Sequence, residues 1–368
     1  MPELRTDYLT GRSVLVAENR ALRPNEFAGE PASAGGQDRE DPSQHSHMPA
    51  VPHPTCPFCA GNESQTPPSV YQKLDAGGNW HVRVVPNAYP AVDNLSGLTR
   101  NQESSEDLSS TALGVHEVII ESAGHVESMS ALSVAEVRDV LDAYANRLRH
   151  WRQDGRLHYG LVFKNQGPKA GASLAHIHSQ LIALPVVPPS VTAELTRAIL
   201  HFETTGHCAY CNLLADERSA ASRIVFDRDG FVAFCPNASW QPHEVWLMPT
   251  EHAPSFELAE HSTLDGLAHA LHKLFRNLQA VSPTAQFNML LRTAPWQGDH
   301  DNTFHWRIEI LPRVNAFAGF EVATAVYINP LPPERAAQSL RLASPGSIAA
   351  TPTPARAIYC SHSRTPAM

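Results

Sequence analysis

No apolar run in this sequence approaches the ~18 uninterrupted residues that a membrane-spanning helix requires, which excludes a helical membrane protein. The opening stretch, MPELRTDYLTGR, lacks an apolar signal-peptide core, so the cytoplasm is the expected compartment. An excess of basic residues is also missing. Lys and Arg total 28 against 37 Asp and Glu, a formal net charge of −9, so the broad positive face of a nucleic-acid-binding protein is absent. An anionic ligand would have to be held by local donors. Cysteine is scarce, with six in 368 residues. Four of them form two Cys-x-x-Cys pairs, which in a reducing compartment favours metal over disulfides.

What the chain has in quantity is proline, 30 residues, and histidine, 20. The prolines predict long irregular loops. The length suggests two domains or one large duplicated one, at about 100–200 residues per domain. Residues 28–55, rich in Gly, Pro, Ser, Asp and His, read as a flexible insertion, and residues 343–368 read as a disordered tail. Strands are expected at 13–17, 81–86, 116–121, 159–164 and 176–184, with loop across 93–112. Val134, Val137, Leu141, Tyr144 and Leu148 recur at helical spacing, and Ser133 with Glu136 forms a capping box at the head of that pattern.

The second part of the chain repeats this plan. Pro86-Asn87-Ala88 returns as Pro236-Asn237-Ala238, His116-Glu117-Val118 as His243-Glu244-Val245, and Cys56-x-x-Cys59 as Cys208-x-x-Cys211. Nine residues after each His-Glu-Val comes another histidine, His125 and His252. A helical pattern follows in both copies, then YGLVFK against FNMLLR, then a strand opened by a histidine, His176 and His305. Several matches in one order indicate duplication of a unit of about 150 residues, too long for a solenoid repeat.

Zinc takes four thiolate or imidazole ligands in a tetrahedron. Each copy offers such a set: Cys56, Cys59, His125 and His176, and Cys208, Cys211, His252 and His305. With no open position, both would be structural. The alternative is reduced thiols and surface histidines, against which the repetition argues. His116 and His243 also repeat, so spacing alone does not exclude them as ligands. Their short apolar strands suit packed, hydrogen-bonded histidines better.

His176, His178 and Gln180 alternate along one face of a strand, directly after the polar, glycine-bearing loop 165–173. Together they read as a phosphate site with an imidazole aimed into it. If His176 is on zinc, His178 is free to attack phosphorus and form a covalent intermediate. Gln180 and Ser173 can donate to the phosphate oxygens, and Lys164 and Lys169, close by in sequence, are expected to help the loop neutralise the meeting anions. In the second copy the same face carries His305, Arg307 and Glu309, so the metal histidine is kept while the nucleophile is not.

These residues resemble the galactose-1-phosphate uridylyltransferase family of the histidine-triad superfamily, whose His-Pro-His-Gly-Gln motif corresponds to His176-Ile177-His178-Ser179-Gln180. The resemblance covers about Leu9 to Leu340 apart from the insertion. It implies an α+β fold of two fused histidine-triad-like halves, each a mostly antiparallel sheet with a long helix: 1–190 catalytic, 191–342 degenerate. It implies His178 as the nucleotidylated nucleophile. It also implies nucleotide-phosphate contacts from Arg20 and Arg23, a nucleoside contact from Asn87, phosphate contacts from Asn165 and Ser173, and a hexose-hydroxyl acceptor in Glu321. The expected reaction moves UMP or AMP from UDP-glucose or ADP-glucose to a hexose 1-phosphate, such as galactose 1-phosphate, or to phosphate. A homodimer is implied, and no nucleic-acid or membrane partner. The second Cys-x-x-Cys and the run SQLIALPVVPP are closer to the two-zinc branch that includes ADP-glucose phosphorylase. Ala88 stands where uridylyltransferases carry an acidic residue, which leaves base and acceptor open. Two other readings are a dinucleoside-polyphosphate phosphorylase or hydrolase, and a non-catalytic zinc-stabilised nucleotide-binding module. Gln180 in place of a third histidine argues against hydrolysis, and the intact His178 against a silent module.

Overall fold

The computed structural model describes residues 2–22, 53–94, 112–284 and 286–343. Residues 28–52 of the expected 28–55 insertion, 95–111 of the expected 93–112 loop, 344–368 of the expected 343–368 tail, and the candidate Arg23 lie outside the described residues.

The elements run β1 (Glu3–Thr6), β2 (Ser13–Val16), β3 (Tyr71–Leu74), β4 (Trp80–Pro86), β5 (Asp93–Asn94), β6 (Leu113–Ile120), α1 (Val134–Arg152), β7 (Tyr159–Gln166), β8 (His178–Leu184), α2 (Pro189–Thr205) and α3 (Ala209–Ala220). Then follow β9 (Ile224–Arg228), β10 (Phe231–Phe234), β11 (Val245–Pro249), α4 (His261–Val281), β12 (Phe287–Arg292), β13 (Arg307–Pro312), α5 (Gly319–Thr324), β14 (Val326–Asn329) and α6 (Pro333–Leu342).

One sheet of eleven strands organises the molecule, in the order β3-β4-β6-β8-β7-β12-β13-β11-β10-β9 with β5 alongside β6. Outward from the β7–β12 seam the order is palindromic: β8, β6, β4 and β3 on one side answer to β13, β11, β10 and β9 on the other. The sequence repeat has become a pseudo-twofold arrangement, and the expected α+β class with antiparallel sheets and long helices is what the fold contains. YGLVFK and FNMLLR, matched in sequence, pair with each other: Asn288 lies opposite Asn165 and Leu290 opposite Phe163.

The long helices α1 and α4 cover one face of this sheet. The Ser133–Glu136 capping box starts α1 as the sequence suggests, with the Ser133 hydroxyl accepting from Glu136 N and the Glu136 carboxylate from Ser133 N. Val137, Val140, Leu141, Tyr144 and Leu148 form its buried face, meeting Leu264, Leu267, Leu271, Leu274 and Leu278 of α4 in a shared core. Each such side chain contributes about 1.5–3 kcal/mol by leaving water.

Four of the helices, α2, α3, α5 and α6, were not visible in the sequence pattern. The run Pro185–Pro189 reads as a stop signal, yet Pro189 occupies the first turn of α2, where its fixed φ favours helix and its missing N–H costs nothing. α3 starts at the second cysteine pair, and α6 packs its Ala336, Ala337 and Leu340 into the core. The N-terminal strands do not join the main sheet. β1 pairs with β2, and β2 with β14, forming a three-stranded sheet whose Val14 and Val16 pack against Ala238 and Trp240.

Candidate active site

Strand parity decides what each residue of the site faces. On β8, Leu181 and Ala183 point into the α1–α4 core, so His178 and Gln180 project from the opposite face. Ser179 lies on the core side. Its hydroxyl donates to Glu121 Oε1 at 2.6 Å, which Tyr144 OH also donates to at 2.5 Å.

The same parity overturns one expectation. Lys164 alternates with Phe163 and Asn165 on β7 and therefore faces the core. It is buried, paired with Glu121, and donates to the His178 carbonyl at 2.9 Å. It braces the strand from beneath and is not available to neutralise a phosphate. Its closeness in sequence to the loop is misleading because adjacent strand residues point to opposite sides. Lys169, in contrast, is exposed.

The His178 ring, only 8% exposed, has its Nδ1 2.8 Å from the His176 carbonyl oxygen. A carbonyl can only accept, so Nδ1 carries the proton and Nε2 holds the lone pair. Burial, aided by the nearby Lys164 ammonium, pushes its pKa below the ordinary imidazole value, so the ring is neutral. Phe58, from the first Cys-x-x-Cys turn, sets its ring edge against His178 at a centroid distance of 5.2 Å. In the sequence the sole signal for Phe58 is its aromatic counterpart Tyr210 in the second Cys-x-x-Cys turn.

Gln180 Oε1 is 2.8 Å from His116 Nε2, and Asn87 touches the same imidazole at 3.0 Å, so Asn87, His116 and Gln180 form one connected group. Asn165 Oδ1 accepts from Asn288 Nδ2 at 2.8 Å, an orienting partner from β12 that the sequence did not reveal. Beyond Asn165 the chain turns sharply, with Gly167 and Gly171 at φ 83° and 89°, a region that L-residues with side chains rarely adopt. Ser173 lines an open cavity of about 480 Å³ with Ser128, Gln166, Gln279 and Gln286, beside the end of α4. His178 is not among the lining residues of that cavity. Arg20 is exposed on the turn Glu18–Leu22 after β2, and Glu321 lies in α5, accepting from Ala318 N at 3.1 Å. Both belong with the small sheet rather than with the β8 face.

The two Cys/His groups assemble as the spacing suggested, each with its four candidate ligand atoms within 4.8 Å of one another. In the first, His176 Nδ1 is 3.5 Å from both Cys56 Sγ and Cys59 Sγ, and His125 Nδ1 is 3.4 Å from Cys59 Sγ. In the second, Cys211 Sγ is 3.3 Å from His252 Nδ1 and 3.8 Å from His305 Nδ1. A zinc tetrahedron with ordinary Zn–S and Zn–N lengths has S···N edges of about 3.5 Å, so both groups fit such an ion. The His176 and His252 rings turn Nδ1 inward and give Nε2 to the carbonyls of Ser122 and Asp301, at 3.0 and 2.6 Å, the outer-shell support typical of metal histidines.

The corresponding face of the second copy is closed. Arg307, at the place of His178, is buried and pairs with Glu194 of α2 and with Glu309, both at 2.7 Å. Its guanidinium lies 4.4 Å from the Trp246 ring centroid. His243 also departs from expectation: it is not in a strand but in the turn before β11, at φ +59°, because Glu244 N bonds back to Gln241 O.

Residues 1–188 match the family described as galactose-1-phosphate uridyl transferase, N-terminal domain. The chain belongs to the galactose-1-phosphate uridylyltransferase family. It is 32% identical over 346 residues to the ADP-glucose phosphorylase of Arabidopsis thaliana, covering 92% of each chain. It is 25% identical over 303 residues to the galactose-1-phosphate uridylyltransferase of Thermotoga maritima, covering 78% of this chain and 88% of that one. Among solved structures, an Arabidopsis thaliana ADP-glucose phosphorylase with bound ADP-glucose superposes with a TM-score of 0.76 at 31% identity, over 93% of this chain and 98% of that one. These uridylyltransferase-family relatives are enzymes of the nucleotidyltransferase type, the class read from the sequence.

Proposed function

We propose that the protein moves a nucleoside monophosphate from a nucleoside-diphosphate hexose to a phosphate oxygen through a covalent intermediate on His178, with ADP-glucose as donor and inorganic phosphate as acceptor. The observation that carries the reading is the His178 ring, which gives its one proton to the His176 carbonyl and keeps Nε2 as a lone pair. That lone pair attacks the α-phosphorus, the bond to the bridging oxygen breaks, and hexose 1-phosphate leaves with that oxygen. An acceptor oxygen, already deprotonated, then attacks the same phosphorus, the P–N bond breaks, and its electron pair returns to Nε2. The side-chain amides of Gln180 and Asn165 serve the phosphoryl oxygens where charge gathers, Asn87 the nucleoside and Ser173 the phosphates. Arg20, Arg23 and Glu321 are assigned to the nucleotide phosphates and the hexose. The small sheet that holds Arg20 and Glu321 would approach His178 from a second subunit, so a homodimer is part of the proposal. The adenylyl donor is supported by the 32% identity to the ADP-glucose phosphorylase and by the second Cys/His group.

Uridylyl transfer from UDP-glucose to galactose 1-phosphate, in galactose metabolism, is the second reading, favoured by Glu321 at the family's hexose position. Assaying the purified protein with each donor and each acceptor separates the two. With either donor, release of free nucleoside monophosphate without acceptor should be at least about 10²-fold slower than turnover with acceptor, because Gln180 cannot exchange a proton to activate water. Rapid acceptor-free release would assign the protein to the hydrolases. The cytoplasm is the proposed compartment. Among the described residues no helix is long and apolar enough to cross a membrane.

Zinc is assigned to both Cys/His groups as a structural ion, clamping the two Cys-x-x-Cys turns to the sheet. Metal analysis of the purified protein should give close to two zinc ions per chain, and Cys208→Ser should remove one and lower Tm while activity falls less than in His178 variants. A single ion unaffected by Cys208→Ser would remove the second site from the account.

A further inference from the structure

We propose that His116 is a positioning residue that fixes the Gln180 side-chain amide with its NH2 group turned toward the reacting phosphate. The inference rests on the reading of His178 as a nucleotidylated nucleophile. It follows from counting donors. Ala91 N lies 3.0 Å from His116 Nδ1, and a backbone N–H can only donate, so Nδ1 is the unprotonated nitrogen. Burial holds the His116 pKa below the ordinary imidazole value, against the opposing hydrogen bond to Gln180, so the ring is neutral and its single proton is on Nε2. That proton goes to Gln180 Oε1 at 2.8 Å. With Oε1 held, both amide hydrogens of Gln180 remain on the side of the open face, which it shares with His178.

A second backbone group orients the neighbour. Tyr89 N donates to Asn87 Oδ1 at 2.8 Å, so Nδ2 is the nitrogen 3.0 Å from His116 Nε2. Because the Nε2 proton is committed to Gln180, Nε2 has no lone pair to accept, and the Asn87 amide hydrogens are left for a ligand. One imidazole thus sets the donor direction of the phosphate-side amide and abuts the nucleoside-side amide. Without it, Gln180 could rotate by half a turn and present an oxygen lone pair to an anionic phosphate. In the second copy the histidine is kept but the pair is broken. Glu309 replaces Gln180 and is tied to Arg307, and His243 bonds the Ser339 hydroxyl instead, at 3.1 Å.

Two substitutions separate this role from a structural one. His116→Gln can place a side-chain N–H near the Nε2 position and keep the bond to Gln180, while losing the acceptor for Ala91. His116→Asn can keep an acceptor near Nδ1 for Ala91 and lose the donor to Gln180. The readout is the rate of protein labelling by ADP-glucose carrying radiolabel in the adenylyl phosphate, with CD and zinc content as checks on folding. His116→Gln should stay within about tenfold of the parent, whereas His116→Asn should be about 10- to 100-fold slower than His116→Gln. In the Gln180→Ala background His116→Asn should add nothing. The reverse order of the two variants, equal losses in both, or a multiplicative loss in the double mutant would overturn the proposal. Failure of the parent protein to become labelled would instead overturn the nucleotidyl-His178 reading, and this inference with it.

Discussion

Replacing His178 with alanine is expected to lower nucleotidyl transfer by on the order of 10⁴-fold or more while the fold and the metal content persist. The ring does not belong to either Cys/His group, so its loss leaves both intact. It contributes one hydrogen bond to a neighbouring carbonyl and an edge contact with Phe58, neither of which holds the sheet together. Among the described residues, none placed on that face is a second free imidazole. Among the described residues, the imidazole nearest to Gln180 is His116, and its two nitrogens are already engaged by Ala91 and Gln180. Turnover, CD and zinc content of His178→Ala and His178→Asn provide the check. Near-normal turnover in either variant would end the covalent mechanism.

The largest stability effect is expected far from the chemistry. Arg307→Ala should cost about 3–5 kcal/mol, because it leaves the Glu194 and Glu309 carboxylates buried without their shared cation. Arg292 remains beside Glu309 at 3.3 Å and limits the damage there. The pH dependence has a definite sign. Burial opposes ionisation of Glu309, but Arg292 and Arg307 outweigh it and hold the carboxyl at about 2. A pKa depressed by folding contributes stability above the unfolded value, about 4.3, which is lost as pH falls toward the folded value. In Arg307→Ala the Glu309 carboxyl should titrate closer to its unfolded value, so much of this stability is already missing at neutral pH and the less stable variant should unfold in acid at higher pH than the parent. Thermal and acid melts measure both effects. Labelling of His178 in the folded fraction should stay within a few-fold of the parent. An unchanged Tm would mean the network contributes nothing, and lost labelling in folded protein would mean the second copy takes part in the chemistry.

The assembly of the two Cys/His groups was legible in the sequence because thiolate and imidazole pairs recur at matched intervals. The α1 helix was legible through its capping box, and the sheet through its repeated apolar strings. Lys164 was misread because a loop neighbour in sequence can be a core residue by strand parity. The start of α2 was hidden because proline both ends and begins helices. His116 was recognised as a bonded histidine, but its partners, Ala91 and Gln180, meet it only through the β4–β6–β8 pairing. Glu321 and Arg20 carry family positions in the sequence, whereas the small sheet that displays them is built from strands more than 300 residues apart.

The most direct test of the central claim is mass spectrometry of the protein after brief exposure to ADP-glucose without phosphate. A nucleotidylated His178 requires a gain of one adenylyl group on the peptide that carries it, with phosphoramidate lability to acid, and its discharge when phosphate is added. Product formation with no modified peptide, or with the adenylyl group on another residue, would contradict it.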